Sequence, residues 1–218
     1  MHHYDAITIA AVLIQAAMLR LGLETWQEAR AILLFHLVGT AMEIFKTAAG
    51  SWIYPEPAIL RLAGVPLFTG FMYAAVGSYL VRAWRALDLR YVHHPSLAAL
   101  AILATAAYAN FFAHHFLPDA RWVHFAASAI LFRRTTVHYR VLHQWRQMPL
   151  LLGLALVTLF IWLAENIGTF TRTWIYPHQA ATWTPVGPGK LGAWYLLMLI
   201  SYAMVTWVNG IRRPEAKP

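Results

Sequence analysis

The stretch that decides the fold is Leu150-Leu-Leu-Gly-Leu-Ala-Leu-Val-Thr-Leu-Phe-Ile-Trp-Leu-Ala-Glu-Asn-Ile167. Over these eighteen residues only one side chain, Glu165, is ionisable, and it stands near the end. About 20 apolar residues cross a bilayer as a helix. In lipid the backbone must satisfy its own hydrogen bonds, so the segment has to be helical. Similar apolar segments cover 7–23, 31–48, 65–81, 97–116, 122–132 and 191–208, with 122–132 the shortest. Nothing in these segments alternates with the period of a transmembrane β-strand. The expectation is an all-α polytopic membrane protein of about seven transmembrane helices, forming one domain over residues 1–218.

Composition agrees. The chain is 60% hydrophobic and 12% charged, against about 25% charged for a soluble domain. Its ten Trp and ten Tyr are rings that favour the membrane–water interface. The absence of cysteine excludes disulfides, thiolate nucleophiles and Cys-based zinc or iron–sulfur sites. The N-terminus, Met1-His2-His3-Tyr4-Asp5, lacks the basic region of a cleaved signal peptide, so the first apolar segment is expected to remain as a span.

The net charge of +8 does not point to nucleic acid, because Lys and Arg are scattered at segment ends and form no stripe. They read instead as topology signals. With seven spans and the N-terminus outside, the inner loops hold Arg20, Arg30, Arg82, Arg85, Arg90, Arg133, Arg134, Arg140, Arg146, Arg212, Arg213 and Lys217. The outer side keeps Lys46, Arg61, Arg121, Arg172 and Lys190. Twelve of the seventeen basic residues then lie inside, which fits an N-out/C-in arrangement.

A second signal is an internal repeat. Glu43-Ile-Phe-Lys-Thr-Ala-Ala-Gly-Ser-Trp-Ile-Tyr-Pro55 ends one span, and Glu165-Asn-Ile-Gly-Thr-Phe-Thr-Arg-Thr-Trp-Ile-Tyr-Pro177 ends another. The Glu, a Thr and the Trp-Ile-Tyr-Pro block recur at one constant offset. The copies lie four spans apart and run the same way across the bilayer. This suggests a parallel 3+1+3 layout: unit one at about 5–85, a linker helix at about 95–117 and unit two at about 120–210. Parallel repeats are related by an axis along the membrane normal, and sites favour their interface. For the aromatics a plainer reading also stands: Pro ends the helix, while Trp and Tyr anchor it at the headgroups.

That plainer reading leaves Glu43 and Glu165 unexplained. A carboxylate in a span costs a few kcal/mol and commonly marks function. If the repeat brings the two together in apolar surroundings, one could donate a proton while the other accepts one. Asn166 and Lys46 would orient or tune them. His36, two turns before Glu43 on the same face, would line the substrate site with Trp52, Tyr54, Trp174 and Tyr176. A charge pair between Glu43 and Lys46, or a helix-end carboxylate reaching headgroup water, is the bland alternative.

Of eleven histidines, His114, His115 and His124 fall on the side of the two glutamates, as does His178, and the first three are candidate ligands for a divalent metal. Adjacent residues on a helix point about 100° apart, so both members of the His114-His115 pair rarely reach one ion. Interfacial, hydrogen-bonded histidine is the alternative. His93, His94, His138 and His143 lie beside arginines and read as solvated or phosphate-facing. Span seven has no interior Lys for a retinal Schiff base. No phosphate-binding loop or Gly-x-Ser-x-Gly supports nucleotide or hydrolase chemistry.

Met42 to Glu56, the segment beginning Gly64-Val-Pro-Leu-Phe-Thr-Gly-Phe-Met-Tyr, the segment Trp162-Leu-Ala-Glu-Asn-Ile-Gly-Thr-Phe170 and Lys190-Leu-Gly-Ala-Trp-Tyr195 together resemble the YoaT-like family of bacterial integral membrane proteins of unknown function. The resemblance implies a multi-pass protein of the bacterial inner membrane and no activity. Gly50-Ser-Trp-Ile-Tyr54 with Gly64-Val-Pro66 is also similar to the turn and helix opening of membrane lycopene cyclases and carotenoid hydratases. Those cyclases place a Glu pair after the proline, where this chain has Leu67 and Phe68. That likeness implies acid–base chemistry on a polyene or other isoprenoid lipid. The expected function is therefore an inner-membrane enzyme of lipid or isoprenoid metabolism, with membrane lipids around it and an apolar small molecule as substrate. A small-solute transporter with two triple-helix bundles and a non-catalytic subunit of a larger complex are the alternatives.

Overall fold

The computed structural model describes residues 2–214. Lys217, counted among the inner basic residues, lies outside them. Among the described residues the chain is mostly helical. The helices are α1 (His3–Arg20), α2 (Trp26–Ala48), α3 (Phe68–Ala86), α4 (Leu97–Ala113), α5 (Arg121–Phe132), α6 (Leu150–Phe170) and α7 (Gly189–Asn209). Three of them, α2, α6 and α7, are long and apolar enough to cross a membrane. These mark the chain as a membrane protein.

Each expected apolar segment contains a helix, and the differences at the ends have local causes. α2 begins five residues before the apolar stretch because Thr25 caps it: the Thr25 side chain accepts from Glu28 N, and the Glu28 carboxylate accepts from Thr25 N. Such a capping box starts a helix in polar sequence. α5 has 12 residues, or about 18 Å of helix at 1.5 Å per residue. That is short of the roughly 30 Å hydrocarbon core.

The structure departs from an all-α reading in two places. Arg61–Leu62 (β1) and Val65–Pro66 (β2) pair antiparallel around Ala63 and Gly64, which both adopt positive φ. A turn of this hand favours glycine. Arg90–Val92 (β3), Thr136–Val141 (β4) and Gln144–Pro149 (β5) form a three-stranded antiparallel sheet in the order β3-β4-β5. Thr-Val-His-Tyr-Arg-Val in β4 is rich in β-branched and aromatic residues, which suit a strand. Read as charged loop sequence, it hid that preference behind Arg140 and the flanking Arg133 and Arg134.

The chain divides into two compact units. Of the described residues, the first comprises 2–79 and 163–186, the second 80–162 and 187–214. In the first, Tyr4, Tyr54, Val65 and Phe68 form a buried cluster against which Trp52 and Trp174 pack. The N-terminus of α1 ties down loops here: the Tyr4 hydroxyl donates to Thr173 O, and the Asp5 carboxylate accepts from Ile59 N and Leu60 N. In the second unit, Ala104, Ala107, Leu196 and Ile200 form the core of α4 against α7. Beside it Trp84, Tyr91, His94, Phe132 and Tyr202 make a network of ring contacts.

Candidate functional site

Both glutamates fall in the first compact unit and both are buried, each with 2% exposure. They sit near the C-terminal ends of α2 and α6, and the two helices end in the same way. After α2, Ala49 N donates to Phe45 O, Gly50 N to Thr47 O and Ser51 N to Lys46 O. After α6, Thr171 N donates to Ile167 O, Arg172 N to Thr169 O and Thr173 N to Gly168 O. Each bond of the second set is its counterpart in the first, moved by the spacing from Glu43 to Glu165. Gly50 and Arg172 fill the same slot with φ of +70° and +58°. A left-handed residue just past the helix turns the chain and satisfies its last carbonyls.

That turn sends both Trp-Ile-Tyr-Pro blocks back over the helix ends, where they meet. Ile53 N donates to Ile175 O at 2.9 Å, and Ile175 N to Ile53 O at 3.0 Å, as an antiparallel bridge. Each Ile thus pairs with the residue in its own position of the other block. Trp52 meets Tyr176 edge-on, with ring centroids 6.4 Å apart.

Each Tyr reaches back to the Glu eleven residues before it. Tyr54 donates its hydroxyl to Glu43 Oε2 at 2.6 Å, and the Tyr176 hydroxyl donates to Glu165 Oε1. Glu43 Oε2 also accepts from Trp52 Nε1 at 2.8 Å, and Glu43 Oε1 accepts from the Tyr73 hydroxyl at 2.7 Å. Tyr176 lies within electrostatic reach of both carboxylates. Burial first, and then the neighbouring carboxylates, push the Tyr54 and Tyr176 hydroxyls far above their ordinary range. Both remain protonated donors. Because a hydroxyl can donate or accept, a carboxyl ringed by tyrosines can change its protonation state while its neighbours turn to suit.

Tyr73 is the member of the site that sequence reasoning missed. It lies on α3 and reaches Glu43 because Gly39 on α2 leaves room. A Cβ on Gly39 would overlap the Tyr73 ring. Only the close approach of two helices reveals such a pair. One trace was present in sequence: Gly70-x-x-Tyr73 and Gly192-x-x-Tyr195 stand at the same spacing as the two glutamates.

Lys46 is buried in the last turn of α2. Asn166 Oδ1 accepts from Val186 N at 2.8 Å, which holds the end of the loop after the second block. The buried Gln179 closes that loop, accepting from Tyr176 N and donating to Thr184 O. His36 packs its ring on Phe71 with centroids 4.7 Å apart. Trp174 packs against Gly168, whose missing Cβ makes space for the indole.

His114, His115 and His124 belong to the second unit. The rings of the first two lie 4.4 Å apart at a tilt of 40°, and Nδ1 of His114 and of His124 bonds to the carbonyl four residues back. Among the described residues no three His, Cys, Asp or Glu side chains gather at metal-binding range.

Comparison with known proteins places this architecture in a family. Residues 1–202 match the family model described as "Protein of unknown function (DUF817)". The chain is 46% identical over 209 residues to the "Uncharacterized protein YoaT" of Bacillus subtilis (strain 168), covering 96% of this chain and 79% of that protein. No solved structure matches. The chain belongs to the DUF817 family of proteins of unknown function.

Proposed function

We propose that this protein is a multi-pass inner-membrane enzyme of lipid or isoprenoid metabolism, with Glu43 and Glu165 as a paired acid and base. The observation that carries the reading is the meeting of the two blocks through Ile53 and Ile175, with each block's tyrosine bonded to its own buried glutamate. Two buried carboxyl groups can divide the work of general acid–base chemistry, one giving a proton and the other taking one. The reading takes the substrate as apolar because Trp and Tyr side chains are hydrogen-bonded to the carboxyls, and their π faces can stabilise the positive charge that develops when an alkene is protonated. The proton added at one carbon is balanced by one removed at another, and with two carboxyls one would supply the first while the other takes the second.

The same reading takes the architecture as seven spans, N-outside and C-inside, from two three-helix units and a linker, with the short α5 accommodated by local bilayer thinning or snorkelling of its flanking residues. The matched helix ends and the self-pairing Ile bridge support it. An antiparallel pair in which each residue meets its own counterpart has a local two-fold axis across it. Two parallel helices whose trailing segments pair this way are related by an axis along the membrane normal, as in parallel-repeat transporters. That observation also supports a small-solute transporter as the second reading, in which the glutamates carry protons with the solute.

Membranes from cells expressing the wild type and the Glu43→Gln and Glu165→Gln variants test the enzyme. Either variant is expected to lose the product lipid and accumulate its precursor. Variants with an unchanged lipid profile, together with solute uptake by wild-type proteoliposomes, would replace the enzyme with the transporter.

A further inference from the structure

His36, Thr40, Glu43 and Thr47 succeed one another on α2 at steps of four, three and four, which places them on one face of the helix. Three of them carry buried polar atoms with no hydrogen-bond partner among the described residues: His36 Nδ1, Thr40 Oγ1 and Thr47 Oγ1. Thr69 on α3, at 1% exposure, adds a fourth in its Oγ1. His36 and Thr40 converge beside Gly70. A Cβ at Gly70 would overlap both His36 Nδ1 and Thr40 Oγ1, so the two polar atoms flank the same bare Cα.

Threonine in a helix commonly closes its hydroxyl onto the carbonyl four residues back. Thr8 does so with Tyr4 O at 2.9 Å, and Thr158 with Leu154 O at 2.8 Å. Thr40 and Thr47 do not. Leaving buried polar atoms unpaired is costly, and enclosed polar sites are where proteins hold ordered water. The stripe is continuous with Glu43, whose carboxylate lies one turn beyond Thr40.

We propose that this face of α2 is a water-lined proton path ending on Glu43, with His36 at its far end and the Thr40 hydroxyl as the link. It rests on the reading of Glu43 as a proton-exchanging acid. A proton taken up on His36 Nε2 is matched by one released from Nδ1. The Thr40 hydroxyl, bridged by water, gains that proton as it gives up its own, and a Glu43 oxygen receives the last. One proton moves and no intermediate group changes charge. Gly70 keeps His36 and Thr40 close enough for the transfer.

The test uses the full chain in lipid nanodiscs, transferred to D2O and monitored by infrared spectroscopy. The band of a protonated carboxyl is assigned to Glu43 by its loss in Glu43→Gln, and its isotope shift is timed. Thr40→Val, which keeps the shape and removes the hydroxyl, is expected to slow exchange about tenfold, near the worth of one lost hydrogen bond. Thr40→Ser, which keeps the hydroxyl and loses the methyl, is expected to exchange at the wild-type rate. His36→Phe should slow exchange as Thr40→Val does. Wild-type exchange in Thr40→Val, or equal slowing in Val and Ser, would overturn the path and leave the Glu43 acid standing. If Glu43→Gln removed no carboxyl band, the acid and the path would fall together.

Discussion

Glu43 and Glu165 end two helices whose closing hydrogen bonds correspond one for one, and each accepts the hydroxyl of a tyrosine eleven residues on. Their surroundings differ through α3. Glu43 also receives Tyr73, admitted by Gly39. The residue at the corresponding position on α7, Tyr195, belongs to the second compact unit and shares a 2.6 Å hydrogen bond with Ser128. The two helix ends match, while Tyr73 and Tyr195 bond to different kinds of partner, a carboxylate and a serine. Like helix ends present two buried carboxyls, and on the proposed reading the donor from α3 is what would set one of them apart as acid or base.

The largest test of that contrast removes Glu43. Glu43→Ala strands three donors, Trp52, Tyr54 and Tyr73, in a buried site, and is expected to cost about 3–5 kcal/mol of stability. Glu43→Gln keeps an acceptor oxygen and should cost clearly less. Reversible unfolding in detergent measures both, and equal costs would mean that the donors have other partners.

Gly39→Ala comes next. It pushes a Cβ into the Tyr73 ring and should cost about 1–3 kcal/mol by overpacking. Gly192→Ala meets the far tip of Phe125 at 2.8 Å, which can swing aside, so a smaller loss is expected. The reverse order would mean that the α2–α3 contact yields more readily than the packing on α7.

Removing single hydroxyls sharpens the comparison further. Tyr73→Phe and Tyr195→Phe should each cost about 1 kcal/mol, but only Tyr73→Phe should shift the infrared band of the Glu43 carboxyl. A shift of that band in Tyr195→Phe would contradict the assignment of the two tyrosines to different partners.

The smallest effect belongs to the second compact unit, between α4 and α5. Burial alone would raise the Asp119 pKa, but hydrogen bonds from Asn110 and Arg121 outweigh it and hold it below its ordinary value. Because the folded value is the lower one, its stabilisation is present above the unfolded pKa and lost as pH falls through the folded pKa. Asp119→Asn should flatten that acid limb of the melting curve, and an unchanged limb would place it on another carboxylate.

Much of this was legible in the sequence because lipid simplifies the code. The apolar runs of α6 and α7 needed no partner to be recognised, and their helices end within three residues of the runs. The two Trp-Ile-Tyr-Pro blocks and their glutamates were visible because local sequence fixes a helix end. Tyr73 was not, since its role depends on how closely α3 approaches Gly39. The β4–β5 hairpin was hidden for another reason: its strand preference lies among charged residues that in sequence read as topology signals. Asn166 and Gln179 act on the loop between the second block and α7, a path that no periodic pattern describes.

The most direct test of the central claim compares lipid extracts from membranes carrying the wild type and the Glu43→Gln, Glu165→Gln double variant. Paired acid–base catalysis predicts that a lipid or isoprenoid species present with the wild type disappears in the double variant, while its precursor rises to match. Identical extracts, from variants shown to be folded and equally abundant, would contradict it.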